Sequence, residues 1–95
     1  MILLVTYDVN TEDVEGKRRL RHVARTCLNY GIRVQMSVFE CNVSPAQKII
    51  LENELLEIID LSKDSLRIYN LGTNYSKISH YGSKKPIDLD NTIMF

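Results

Sequence analysis

At 95 residues the chain has room for one domain with a single modest core. Its composition, 44% hydrophobic and 25% charged, is that of an ordinary soluble fold, with no apolar run near the ~20 residues that span a bilayer and no basic segment or small-residue cleavage site of a secretory leader. Twelve basic residues balance twelve acidic ones, and Cys27 and Cys41 fit neither a CxxC pair nor a ligand spacing with His22 or His80. These features exclude a globally basic protein and a thiolate metal site, and the expected location is cytoplasmic, with both cysteines reduced in or near the core.

Residues 1–8, MILLVTYD, read as a strand. Ile2, Leu4 and Thr6 point to one face, Leu3, Val5 and Tyr7 to the other. A strand apolar on both sides is covered on both. Asp8 stands where it runs out, and loops beside strand ends are common places for chemistry. The turn VNTED then leads into a helix over about residues 13–30, with Gly31 as its expected C-terminal cap. Leu20, Val23, Ala24, Cys27 and Leu28 form its buried stripe. Arg18, Arg21 or His22, and Arg25 line a second face. Gly16 weakens the helix near its start, which predicts a packing or close-approach reason for it. Lys17, Arg18, Arg19, Arg21, Arg25 and Arg33 are half of the basic residues, with no Asp or Glu between Gly16 and Gln35.

Residues 32–43, IRVQMSVFECNV, carry strand residues over a length that suits two short strands, with a tight turn or bulge at 35–37. Ser44-Pro45-Ala46-Gln47 is a helix start with a capping serine, a proline at the first helical position and a capping-box glutamine. Leu51, Leu55, Ile58 and Ile59 form the core stripe of this helix. Ile49, Ile50 and Leu56 widen the apolar arc, and Ser62-Lys63-Asp64 is expected to close it. Residues 65–71 alternate as a strand ended by Gly72; 75–81 is a candidate edge strand, 84–86 a linker and 92–95 a short apolar end. The order strand, helix, strand, strand, helix, strand predicts an α+β, ferredoxin-like βαββαβ fold, with an antiparallel sheet and both helices on one face. Residues 1–72 make the domain and 73–95 a tail with short strands that packs on the dimer. A second copy related by a twofold axis is expected to cover the other face, since the first strand is apolar there too.

Asp8, flanked by Tyr7 and Asn10, has two readings at this point. It caps the coming turn through an Asx interaction, or it is a ligand for a hard cation such as Mg2+, which is often held by one or two carboxylates with water and phosphate oxygens. One chain supplies too few ligands; two copies of Asp8 meeting near a dimer axis supply a pair. Arg18, Arg19, Arg21, Arg25 and Arg33 read either as a solvated face or as a phosphate-backbone site, and the lack of interleaved acids favours the second. No element for reading bases in a groove is visible, so binding is expected to be sequence-tolerant and salt-sensitive. Ser37 lacks a partnered histidine and acid, and Tyr69, Tyr75 and Tyr81 suit packing more than base stacking.

The pieces together resemble one family. TYDV at 6–9, Arg19-Leu20 in a basic helix, Tyr30-Gly31, RVQ-x-SVFEC at 33–41 and SLRIY at 65–69 followed by LG are similar to the CRISPR-associated protein two family, over essentially the whole chain. The IDL…F ending resembles a subgroup found in type I-C systems. The resemblance implies a ferredoxin-like homodimer and a metal-dependent endonuclease acting on single-stranded RNA or double-stranded DNA, with Asp8 as metal ligand and catalytic centre. Ser37 and Phe39 of the SVFE stretch fall in the site neighbourhood, and Arg18, Arg19, Arg25 and Arg33 are the family-like basic residues. It also implies a second role, as the central dimer that holds incoming spacer DNA between CRISPR integrase subunits, in which nuclease activity need not matter. A third reading of the same small fold is a ribonuclease toxin whose growth arrest depends on Asp8.

Overall fold

The computed structural model describes residues 1–74 and 77–82. In chain order these form β1 (Ile2–Asp8), α1 (Val14–Leu28), β2 (Gly31–Gln35), β3 (Val38–Asn42), α2 (Pro45–Ile58) and β4 (Ser65–Gly72). The four strands make one antiparallel sheet in the order β2-β3-β1-β4. This is the expected ferredoxin-like arrangement, with β1 hydrogen-bonded along both edges.

Alternation along β1 divides the molecule. Leu3, Val5 and Tyr7 enter the core with Phe39 and Cys41 of β3, and α1 and α2 cover that side with Val23, Cys27, Leu51 and Leu55. A fully buried side chain of this size contributes about 1.5–3 kcal/mol, so this layer supplies most of the driving force. Burial pushes the thiols of Cys27 and Cys41 up to about 12, which leaves both as protonated, unpaired core residues. The other face carries Ile2, Leu4 and Thr6, cross-strand from Asn42, Glu40 and Val38 of β3, and Leu4 and Thr6 face Tyr69 and Arg67 of β4.

The local signals account for most of the element ends. Asp13 caps α1 by accepting the Gly16 N–H at 2.8 Å. A Cβ at Gly16 would lie 1.9 Å from the Asn10 carbonyl oxygen, so glycine is there to let the loop after β1 touch the helix backbone. Gly31 is not the cap of α1. The helix ends at Asn29, in ordinary right-handed conformation, with its N–H returned to the Thr26 carbonyl at 3.1 Å. Gly31 opens β2 instead, and a Cβ there would sit 2.0 Å from the Glu40 carbonyl oxygen across the ladder. The β2–β3 hairpin turns at Met36 and Ser37, within the stretch the sequence predicts, and the register also slips between Arg33 and Gln35.

Ser44 and Gln47 complete both halves of the capping box that starts α2. The helix stops before 62–64: Ile59 is extended, and the Asp60 carboxylate gathers the Ser62 N–H at 2.9 Å and its hydroxyl at 2.6 Å into a turn. Ile49, Ile50 and Leu56 remain exposed on the outer side of α2, so the sheet does not use the widened apolar arc. Of the candidate edge strand at 75–81, the described residues 77–82 contain no strand; the rest of it, the linker and the apolar end lie outside the described residues.

The Gly31→Ala variant is expected to lose more than about 1 kcal/mol of stability, because the added methyl meets backbone that cannot move without breaking the β2–β3 pairing. A urea denaturation midpoint equal to that of the unmodified chain would contradict this close approach.

Candidate functional site

Asp8, Tyr7, Ser37, Phe39 and Asn10 gather at one end of the sheet, where β1 ends and β3 and β4 begin. They have different tasks there. Tyr7 and Phe39 are core residues with their rings stacked, centroids 6.2 Å apart. Burial raises the Tyr7 pKa, against the nearby Arg33 guanidinium, and its hydroxyl donates to the Met36 carbonyl at 3.4 Å. Ser37 contributes its backbone, accepting the Tyr7 N–H at 3.1 Å. These contacts fix the last turn of chain before Asp8 and leave no reacting group among them.

The Asp8 carboxylate is exposed, and among the described residues nothing donates a hydrogen bond to it or pairs with it. The Asx interaction expected of it belongs to Asn10, whose Oδ1 accepts the Glu12 N–H at 2.9 Å. Asp8 therefore stays free at the edge of a cleft of about 470 Å³, lined also by Asn10, Glu12, Ser62, Lys63 and Ser65. Being in phase with Ile2, Leu4 and Thr6, it lies on the side of β1 that the helices leave uncovered.

Beneath this cleft is a residue that the sequence left in a turn. Asp64 is buried, its side chain shut off from water, and Arg19 meets it with two bonds, Nε to Oδ2 at 2.8 Å and Nη2 to Oδ1 at 3.2 Å. The same carboxylate accepts the backbone N–H groups of Asn10 at 3.0 Å and Asp60 at 2.8 Å. Burial by itself pushes the Asp64 pKa up; the hydrogen bonds from Arg19, Asp60 and Asn10 outweigh it and hold the carboxyl below its ordinary value. Arg19 thus differs from the other predicted phosphate-binding arginines, since its guanidinium is already committed. A helix-period signal for this existed: Arg19 lies between Gly16 and Val23, both buried.

Arg18, Arg21 and Arg25 are exposed along α1, spaced at three and four residues so that they share one side of the helix, with His22 beside them. The acids at the helix start, Glu12, Asp13 and Glu15, lie at its positive end, and Arg25 is in its last turn, an order that suits the helix dipole. Arg33 is separate from this row. It is exposed on β2 with its guanidinium carbon 5.1 Å from the centre of the Phe39 ring, a cation–π contact at the Tyr7–Phe39 end of the sheet.

The sheet face away from the helices also holds Glu40. It is nine-tenths buried, and its Oε1 has no hydrogen-bond partner among the described residues. Burial raises its pKa, partly offset by the charge of His80. Tyr69 and Leu71 of β4 remain substantially exposed.

Two substitutions test this account of Asp64. Its pKa is lower folded than unfolded, so the stabilisation it gives is fully present above the ordinary value of 3.8 and is lost as pH falls through the folded value. The stability gap between the unmodified chain and Asp64→Asn is expected to be constant near neutrality and to close in acid; a gap independent of pH would show that the pair does not titrate. In parallel, Arg19→Met is expected to lower the denaturation midpoint well below that of Arg18→Met, because only the former strands a buried carboxylate.

Comparison with known proteins places these features in one family. The family model described as CRISPR associated protein Cas2 matches residues 1–78. The chain is 56% identical over 95 residues, 99% of each chain, to a CRISPR-associated endoribonuclease Cas2 of Chlorobaculum tepidum. It is 53% identical over 96 residues, all of both chains, to a CRISPR-associated endonuclease Cas2 of Halalkalibacterium halodurans. The crystal structure of Streptococcus pyogenes Cas2 at pH 6.5 superimposes with a TM-score of 0.76 at 52% identity, covering 86% of this chain and all of that one. With the same fold and full-length identity at this level, the chain belongs to the Cas2 family.

Proposed function

We propose that the protein is a Mg2+-dependent endonuclease of a CRISPR system that works as a homodimer, with Asp8 as metal ligand and catalytic carboxylate. The observation that carries this reading is the free Asp8 carboxylate over a cleft at the end of an otherwise apolar strand. Relatives named as endoribonuclease and endonuclease support the reaction class. Among the described residues no group of three or more His, Cys, Asp or Glu side chains is placed to hold a metal. One chain therefore offers half a site, which fits Mg2+, an ion commonly held by one or two carboxylates with the remaining positions left to water and substrate phosphate.

The second half comes from a second copy. Asp8 continues the row of Leu4 and Thr6, which are half-buried in one chain, so a twofold partner docked on that face would meet these side chains and the carboxylate together. Bound there, the ion would polarise a phosphodiester oxygen and ease deprotonation of an attacking water. The chain's own groups do the rest. Paired Asp8 carboxylates hold the ion, and Arg18, Arg21 and Arg25 bind phosphates of the backbone. Recognition of this kind positions a strand without reading its sequence.

A second reading is favoured by the reach of the basic row. Arg18 to Arg25 spans about two helical turns, ~10 Å, or about three phosphates of a strand, and a twofold partner would repeat the row, so the dimer could hold nucleic acid beyond a single cut point. In this reading the dimer is a DNA-binding scaffold between CRISPR integrase subunits during spacer acquisition, and the arginines are its working residues.

Labelled double-stranded DNA and single-stranded RNA, incubated with and without Mg2+, separate the two. Metal-dependent cleavage is expected from the unmodified chain and is expected to be abolished in Asp8→Asn, with nucleic-acid binding retained. Absence of cleavage, or equal cleavage by both proteins, would discard Asp8 catalysis and leave the scaffold. Reversing Arg18 and Arg25 to Glu is expected to weaken binding under either reading and to lower the slope of log affinity against log salt by about two per protomer that contacts the strand. An unchanged slope would remove these arginines from the interface.

A further inference from the structure

Asp8 has no side-chain hydrogen bond of its own among the described residues, so its position is set by the backbone that flanks it. That backbone is tied down on three sides. Before it, Tyr7 is locked by the Phe39 stack and by its N–H donating to Ser37. Across the ladder, Asp8 is paired with Ser65. After it, Asn10 is held at both of its peptide groups: its N–H donates to Asp64, and its carbonyl oxygen accepts from Arg19 Nη2 at 3.5 Å and rests against Gly16. Two of these three ties converge on one ion pair. Asp64 immediately precedes Ser65, the cross-strand partner of Asp8, and also binds Asn10, two residues past Asp8.

We propose that the Arg19–Asp64 pair is a positioning clamp that fixes the Asp8 carboxylate for cation binding. The inference rests on the reading of Asp8 as the working carboxylate. The clamp spans three elements: Arg19 comes from α1, Asp64 from the approach to β4, and Asn10 from the loop leaving β1. Both Asp64 oxygens are used, Oδ1 by Asn10 and Arg19 and Oδ2 by Asp60 and Arg19, so the loop cannot shift without breaking a charge-assisted bond. A metal-binding carboxylate has to be held to within about half an ångström, and supporting contacts one step removed are what hold it. Neither Arg19 nor Asp64 bonds to the Asp8 side chain; they act through Asn10 and Ser65.

Arg19→Lys, Arg19→Met and Asp64→Asn, made in the full chain, test the clamp, with Asp8→Asn as reference. Mn2+ serves as the probe, titrated in the presence of a short DNA duplex and followed by electron paramagnetic resonance well below each variant's melting point. Arg19→Met and Asp64→Asn are expected to weaken Mn2+ binding by about tenfold to a hundredfold, with duplex affinity changed less than about twofold and Arg19→Lys in between. Amide exchange at Asn10 and Ser65 is expected to rise while that of Val5 stays protected. A merely structural role lowers the melting point and leaves Mn2+ affinity alone, and that result overturns the proposal. Should Arg19→Met fail to fold, the isosteric Asp64→Asn and the conservative Arg19→Lys decide it by the same criterion. Retention of Mn2+ binding by Asp8→Asn, or its absence in the unmodified chain, would instead overturn the assignment of Asp8 and the clamp's purpose with it.

Discussion

The structure depends on the register of β1. Its side chains alternate, and a slip by one residue would exchange the whole set of Leu3, Val5 and Tyr7 with that of Ile2, Leu4, Thr6 and Asp8. The first set fits against Phe39, Cys41 and the two helices; the second carries the carboxylate. Register is therefore what keeps Asp8 out of the core. It is enforced on both edges, by β3 and by β4, and at the end of the strand by the Tyr7–Phe39 stack. A carboxylate on a strand end held this way can be exposed without being loose.

Arginine is used in two physically opposed ways within one helix. Arg18, Arg21 and Arg25 project into solvent, where each gains little from the fold and is available to a polyanion. Arg19, adjacent to Arg18 in sequence, turns toward the sheet and offsets the charge of a carboxylate that would otherwise be stranded in the interior. The difference is one of helical phase: Arg19 is three residues after Gly16 and four before Val23, on the inward side. Composition treats the run Lys17-Arg18-Arg19 as one basic patch, whereas the helix divides it into a solvent-exposed side and a support for the buried Asp64.

This division also marks what the chain reveals by itself. Strand alternation, the Ser44–Gln47 capping box and the basic helix are local signals, and the elements follow from them. Asp8 is legible because a lone acid after five apolar residues is conspicuous. Asp64 is not, because Ser62-Lys63-Asp64 has the composition of any turn, and its partners Arg19 and Asn10 lie 45 and 54 residues away in sequence. Gly31 follows Tyr30 at the end of a helical pattern and so imitates a cap; only the position of the Glu40 carbonyl across the ladder shows why a side chain is forbidden. Local chemistry fixes local structure, and the missed features are those whose cause is a distant residue.

The sheet face away from the helices brings the remaining oddities together. Glu40 is a buried acid with an idle oxygen, placed directly across from Leu4 on the face that also carries Ile2, Val38 and Tyr69. A buried carboxylate without a donor is costly, and its raised pKa reflects that cost. Tyr69 and Leu71 leave apolar surface in water on the neighbouring strand. Ile2 and Glu40 are already buried within one chain, and Leu4 and Thr6 are half-buried, so the apolar surface this face leaves in water is that of Tyr69 and Leu71. In the proposed dimer Tyr69 and Leu71 would gain a covering surface, and Asp8 would gain the second carboxylate that the described residues of one chain do not provide. Under that proposal, cover for Tyr69 and Leu71 and a second carboxylate for Asp8 would come from the same partner on the same face.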